Sequence, residues 1–118
     1  MQIKLMQSNP LVRANAGKVA IQRGPLVYCL EETDNGDNLS AISIPVDSNL
    51  TAQFDAETAG GVVVITGNAF RTDTFGWEEK LYRTAQIREN PVTIKAVPYC
   101  VWGNRNPGEM LVWIRQKA

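Results

Sequence analysis

Residues 18–31 read KVAIQRGPLVYCLE, and this stretch decides the fold. Val19 and Ile21 fall on one face of an extended chain, with Lys18, Ala20 and Gln22 on the other. That period of two marks a half-buried strand. Gly24-Pro25 interrupts it. Proline cannot donate to a sheet ladder, so the chain bulges, bends or reaches an edge here. It resumes as LVYCLE, with Leu26, Tyr28 and Leu30 on one face against Val27 and Cys29 on the other. Apolar residues on both faces point to a strand covered from two sides.

Strand patterns continue outward from this pair. Ile42–Val46 is a short strand ended by Pro45, and Leu50, Ala52 and Phe54 alternate along Leu50–Phe54. Val62–Phe70 is rich in β-branched residues and is the strongest β segment. Pro91–Trp102 is a long strand broken at Pro98, and Met110–Arg115 carries Met110, Val112 and Ile114 opposite Leu111 and Trp113. Between them, TDNGDN (Thr33–Asn38), Gly60-Gly61 and NRNPG (Asn104–Gly108) are turn signals. The strands flanking NRNPG are expected to pair as a hairpin. Arg71–Asn90 reads as a loop or a short helical turn with Leu81 and Tyr82 tucked down. Short strands punctuated every 8–12 residues or so predict an all-β fold, an antiparallel β-sandwich of jelly-roll type or a barrel. The sandwich is the expectation, as a single domain over residues 1–118.

Composition narrows the function. Twelve basic residues balance twelve acidic ones over 118 residues, and no short segment gathers Lys and Arg. Nucleic acid is not an expected partner. No apolar run approaches the ~20 residues of a membrane span, so no membrane partner is expected either. The N-terminus lacks the apolar stretch of a signal peptide. There is no histidine, which removes the usual general base and the commonest metal ligand.

Each candidate site has a plainer alternative. Glu31 with Glu32, and Glu78 with Glu79, are adjacent in sequence. Neighbours on a strand point to opposite faces, so neither pair converges as glycoside hydrolysis requires. Trp77, Trp102, Trp113, Tyr28, Tyr82 and Tyr99 offer either a sugar-stacking platform or core aromatics. Trp77, in a glycine-containing loop, and Trp102 are the two candidates for substrate binding. The acidic turn Asp34–Asn38 is either turn chemistry or an oxygen-rich calcium loop, without EF-hand spacing. Cys29 and Cys100 each lie in an apolar run and read as buried small hydrophobes, with a disulfide as the alternative. Neither a metal site nor a cofactor is expected in this chain.

Two long strings carry a resemblance. GKVAIQRGPLVYCLEETDN (Gly17–Asn35) and PVTIKAVPYCVWGNRNPGEMLVWIR (Pro91–Arg115) resemble the C-terminal region of the β-L-arabinofuranosidase-like enzymes, family 127 of the glycoside hydrolases. The first is similar to that family's V-A-x-x-R-G-P-L-V-Y-C-x-E stretch. The second is similar to I-P-Y-x-x-W-x-N-R-x-P-G-E-M-x-V-W. The middle, LTAQFDAETAGGVVVITG, fits the family's strand, polar turn and double-glycine strand.

The resemblance implies a bacterial parent enzyme whose active site lies in a helical (α/α)₆ barrel followed by β-sandwich domains, and it leaves the compartment, cytoplasmic or periplasmic, open. This chain would be the last sandwich, an accessory domain without hydrolytic activity of its own. Its expected partners are the catalytic barrel of the same polypeptide and, in a homodimer, a second subunit. A carbohydrate-binding module is the alternative. The family's zinc-bound cysteine nucleophile, glutamate and paired cysteines are expected in the barrel. No motif here matches them, so no catalytic residue is carried over. Arg23, Asn104, Arg105 and Glu109 are polar residues near bends. They are expected either to tie loop carbonyls or to dock on a neighbouring domain.

Overall fold

A computed structural model describes residues 2–9, 11–72, 89–101 and 108–117. Nine strands are described: β1 (Ile3–Gln7), β2 (Lys18–Arg23), β3 (Leu26–Glu31), β4 (Ile42–Pro45), β5 (Thr51–Asp55), β6 (Val62–Thr72), β7 (Glu89–Pro98), β8 (Met110–Leu111) and β9 (Ile114–Lys117). One short helical turn, α1 (Glu32–Asn35), follows β3, and a 3₁₀ turn spans Leu39–Ala41. No helix among the described residues is long and apolar enough to cross a membrane.

The all-β expectation holds, but the sandwich is corrected to a barrel. Pairing runs β2–β9–β4–β6–β7–β3 and returns to β2, so six strands close a ring. Two features close it. Gln22↔Val27 and Arg23↔Leu26 join β2 to β3 across Gly24-Pro25. The C-terminal strand β9 inserts between β2 and β4, antiparallel to the first and parallel to the second. A jelly roll would leave that side open as two separate sheets. β1 adds to β2, β5 to β6 and β8 to β3 outside the ring.

The KVAIQR alternation places Val19 and Ile21 in the barrel interior. Tyr28 and Leu30 of β3 face the same interior, joined by Ile44, Ile65, Ile94 and Ile114. The Tyr28 hydroxyl donates to the Val63 carbonyl at 2.9 Å, which satisfies the polar end of a fully buried ring. Cys29 points the other way into a second apolar cluster with Val64 and Val97, flanked by Val62, Val101, Met110 and Val112. The two-sided reading of β3 thus holds at Tyr28–Glu31, while Val27 is exposed.

Two expectations of detail change. The strands flanking NRNPG do not pair with one another among the described residues: β8 pairs with β3, and β9 with β2 and β4. Bends at Val112 and Trp113 separate β8 from β9, so Met110 and Val112 serve the second cluster while Ile114 serves the interior. Phe54 does not join Leu50 and Ala52 at the core. It is 63% exposed, with its ring over Gly61. The Leu81–Tyr82 reading lies outside the described residues.

Candidate functional site

The densest polar geometry surrounds residues 32–39, the loop written TDNGDN in the sequence. Glu32–Asn35 makes a single helical turn, Gly36 has φ +81°, and Asn38 adopts the left-handed region at φ 52°. The side chain of Asn35 replaces a strand. Its amide donates to the carbonyls of Glu31 (3.0 Å) and Lys95 (2.9 Å), and its oxygen accepts from the Lys95 N–H at 2.9 Å. The β3–β7 ladder, which pairs Leu30 with Ala96, is thereby extended by one side chain.

Arg71, at the end of β6, ties the loop from one side. Its Nη2 donates to the Asn35 carbonyl at 2.6 Å and its Nη1 to the carbonyls of Asp37 (2.9 Å) and Asn38 (3.2 Å). Glu109 ties it from the other. Its carboxylate accepts from the N–H groups of Asn38 (2.7 Å) and Leu39 (3.2 Å), at the start of the 3₁₀ turn. The backbone of Glu109 also exchanges bonds with Glu32, whose carboxylate accepts the Glu109 N–H at 3.0 Å.

A second cluster lies alongside. Lys95 Nζ reaches Thr58 Oγ1 at 2.8 Å, Asp55 Oδ2 at 3.2 Å and Asp34 Oδ1 at 3.7 Å. The Thr58 hydroxyl, the Glu57 N–H and then Lys95 stabilise the Asp55 anion, which lowers its pKa to about 2. Across the barrel, Glu89 accepts from Lys117 and Ser43, each at 2.8 Å, and these bonds likewise hold its carboxyl below the ordinary range.

Of the residues singled out from sequence, Glu109 sits in the loop clasp just described. Arg23 is half-buried on the interior face of β2, with its Nε buried and without a hydrogen-bond partner among the described residues. Trp77, Trp102, Asn104, Arg105 and Tyr82 lie outside the described residues. Tyr28 is buried, Trp113 half-buried and Tyr99 exposed.

Cys29 is buried and Cys100 exposed, and no disulfide joins them, so the disulfide alternative is set aside. No group of three or more His, Cys, Asp or Glu side chains converges on one point among the described residues. Cys29 is packed among valines, so the residues described do not fit a zinc-thiolate centre. Asp34 faces Lys95 rather than a ring of oxygens, which does not suit calcium.

Sequence reasoning missed Arg71 and Lys95, and it placed Asn35 in a turn without its bridge to Lys95. Asp55–Thr58 carried a usable local signal: an Asp whose side chain accepts from the N–H two residues on is ordinary turn chemistry, and here it does so at 2.9 Å.

Fold and polar geometry together define an all-β barrel domain whose described carboxylates are largely spent on its own loops and strands. Residues 3–115 match the glycoside hydrolase family 127 C-terminal domain, and the chain belongs to that family. It is 37% identical over 121 residues to a non-reducing end β-L-arabinofuranosidase of Bifidobacterium longum subsp. longum, covering 98% of this chain and 18% of that protein. A crystal structure of a family 127 β-L-arabinofuranosidase from Geobacillus stearothermophilus T6 superposes with a TM-score of 0.95 at 50% identity, covering 99% of this chain and 18% of that one. A family 127 β-arabinofuranosidase structure gives a TM-score of 0.82 at 30% identity, covering 99% of this chain and 17% of that one. The chain therefore spans under a fifth of the length of these relatives.

Proposed function

We propose that this chain is the C-terminal accessory domain of a glycoside hydrolase acting on β-L-arabinofuranosides. The catalytic groups and zinc would lie elsewhere in the same polypeptide, and the barrel's work would be to pack against that catalytic part and stabilise it. One observation carries this reading: the chain matches enzymes named for arabinofuranosidase activity from end to end, yet over only 18% of their length. The donor chemistry agrees. Glu32 and Glu109 accept backbone N–H groups, and Asp55 and Glu89 are paired with lysines. A carboxylate committed to a loop N–H is poorly placed for proton transfer to a glycosidic oxygen.

The test compares the 118-residue chain with the longer protein that carries it, measuring zinc content and hydrolysis of an aryl β-L-arabinofuranoside. Zinc and turnover in the longer protein alone are expected. Turnover by the isolated chain overturns the accessory reading.

A second reading, sugar binding, draws on Tyr99, which is 48% exposed. Trp77 and Trp102 remain its proposed anchors. It requires saturable quenching of tryptophan fluorescence by arabino-oligosaccharides that Trp77→Ala or Trp102→Ala abolishes.

A further inference from the structure

Arg23 occupies a core position without a core residue's chemistry. Val19 and Ile21 precede it on the interior face of β2, and its cross-strand partners are Ile3 on β1 and Leu26 on β3. Directly opposed residues share a face, so the arginine stem lies between two aliphatic side chains at the mouth of the barrel. Both neighbours pack on the core. The guanidinium Nε is buried and makes no hydrogen bond among the described residues. A buried donor left unpaired is costly, more so on a charged group.

The surroundings carry more positive than negative charge, with Asp47 the carboxylate of the 46–50 segment, and they mix apolar with polar side chains. Residues 1–30 contain Lys4, Arg13, Lys18 and Arg23 and no Asp or Glu, although the chain as a whole is neutral. From Ile3, the β1 partner of Arg23, opens a cleft of about 570 Å³ in which Leu5, Met6, Val46 and Leu50 alternate with Gln7, Ser48 and Asn49. Met6 and Val46 are exposed there. β1 pairs with β2 on one edge and with no strand on the other among the described residues. An unpaired strand edge beside a cleft that exposes Met6 and Val46 is a surface that folded proteins normally cover.

We propose that this mouth, β1 and β2 with the 46–50 segment, is the face that docks the remainder of the same polypeptide, and that Arg23 is its anchor. The occupant is an acidic segment of that remainder. One carboxylate meets the Arg23 guanidinium, and its neighbours lie along β1, with apolar groups against Leu5, Met6 and Leu50 and polar groups against Gln7, Ser48 and Asn49. This rests on the accessory-domain reading and deepens it by naming the surface. More than four-fifths of the relatives' length lies outside the region that this chain matches, which supplies the partner. The buried Arg23 Nε and the four basic residues of the first 30, where no Asp or Glu occurs, set the sign of its charge.

The experiment uses Arg23→Met, which keeps the stem and removes the charge, in the 118-residue chain and in the longer protein. Amide hydrogen exchange and limited proteolysis are read on both. In the wild type, amides of β1 should exchange about tenfold more slowly in the longer protein than in the isolated chain. Arg23→Met should accelerate proteolytic release of the domain from the longer protein by about tenfold or more, the loss expected for a charged hydrogen bond. The isolated chain should melt at the same temperature or higher. Lys4→Glu, at an exposed position, should accelerate release more weakly.

Equal destabilisation of chain and longer protein by Arg23→Met would make Arg23 a barrel residue and overturn the anchor. So would protection of β1 that is insensitive to Arg23→Met, and in that case the packing reading stands. Equal exchange of β1 amides in both wild-type proteins would remove the packing reading itself.

Discussion

Arg71 and Glu109 hold the two backbone polar groups of a single residue, Asn38. Arg71 donates to its carbonyl at 3.2 Å, and the Glu109 carboxylate accepts its N–H at 2.7 Å. Asn38 sits at φ 52°, in the left-handed region, between the Asn35-Gly36 turn and the 3₁₀ turn that begins at Leu39. Arg71 lies on β6 and Glu109 just before β8, far from the loop in sequence, so this loop is held by tertiary contacts rather than by its own sequence. Because they grip one loop, their contributions should be coupled.

Glu109→Ala removes the acceptor at the start of the 3₁₀ turn, the role of an N-cap, and should cost about 1–2 kcal/mol. Arg71→Ala should cost a similar amount. The double variant should cost less than the two singles together, by about 0.5 kcal/mol or more, since a loop already released has less to lose. Urea unfolding of the four proteins gives the cycle, and strict additivity would show that the residues act separately.

Asn35 should tolerate even a near-isosteric change badly. Its amide donates to two carbonyls while its oxygen accepts one N–H. Asn35→Asp keeps the acceptor and sets an anion against the Glu31 and Lys95 carbonyls. It should destabilise by about 2–3 kcal/mol and at least as much as Asn35→Ala. Milder unfolding of the aspartate variant would mean that Lys95 or Arg71 rescues the charge.

Gly67 lies within β6, where a Cβ would meet the Leu50 side chain and come 3.3 Å from the Asn49 carbonyl oxygen. Gly67→Ala should cost about 1–3 kcal/mol through overpacking. Adding Leu50→Ala should recover part of that loss, because Leu50 Cδ2 is the main obstacle. If the pair is worse than the sum of its parts, the clash is with the Asn49 backbone instead.

The sequence made the β2–β3 pair legible because alternation and Gly24-Pro25 are local signals. Val19, Ile21, Tyr28 and Leu30 were placed by periodicity alone, and the structure puts all four in the interior. Barrel closure was not legible. It depends on β9 entering between β2 and β4, a pairing between residues far apart that no turn encodes. The clasp was half legible. Glu109 stood out beside NRNPG, whereas Arg71, which ties three loop carbonyls, did not, and the reading of Arg105 lies outside the described residues. Arg71 ends a strand whose β-branched run drew attention inward, and its partner loop read as self-sufficient Asn-Gly turn chemistry.

The two thiols should differ in reactivity. Cys29 is about 1% exposed and Cys100 is exposed, and neither is in a disulfide. An excess of a thiol reagent on the native chain should label one cysteine quickly, and two only after denaturation. Rapid labelling of both in the native state would mean that the second apolar cluster opens readily.

Asp55 should set part of the acid sensitivity. Its pKa is lowered from 3.8 to about 2 by Thr58, the Glu57 N–H and Lys95. A folded-state pKa below the unfolded value means the fold favours the anion, so the contribution is complete above about pH 4 and lost as pH falls toward 2. Unfolding free energy should therefore decline through that window. Asp55→Asn should flatten the decline there and lower stability at pH 7, since Lys95 and Thr58 lose an anionic partner. Glu89, lowered by Lys117 and Ser43, acts in the same direction, so some slope should remain in the variant. Unchanged slopes in Asp55→Asn would show that the Asp55–Thr58–Lys95 bonds do not persist in solution.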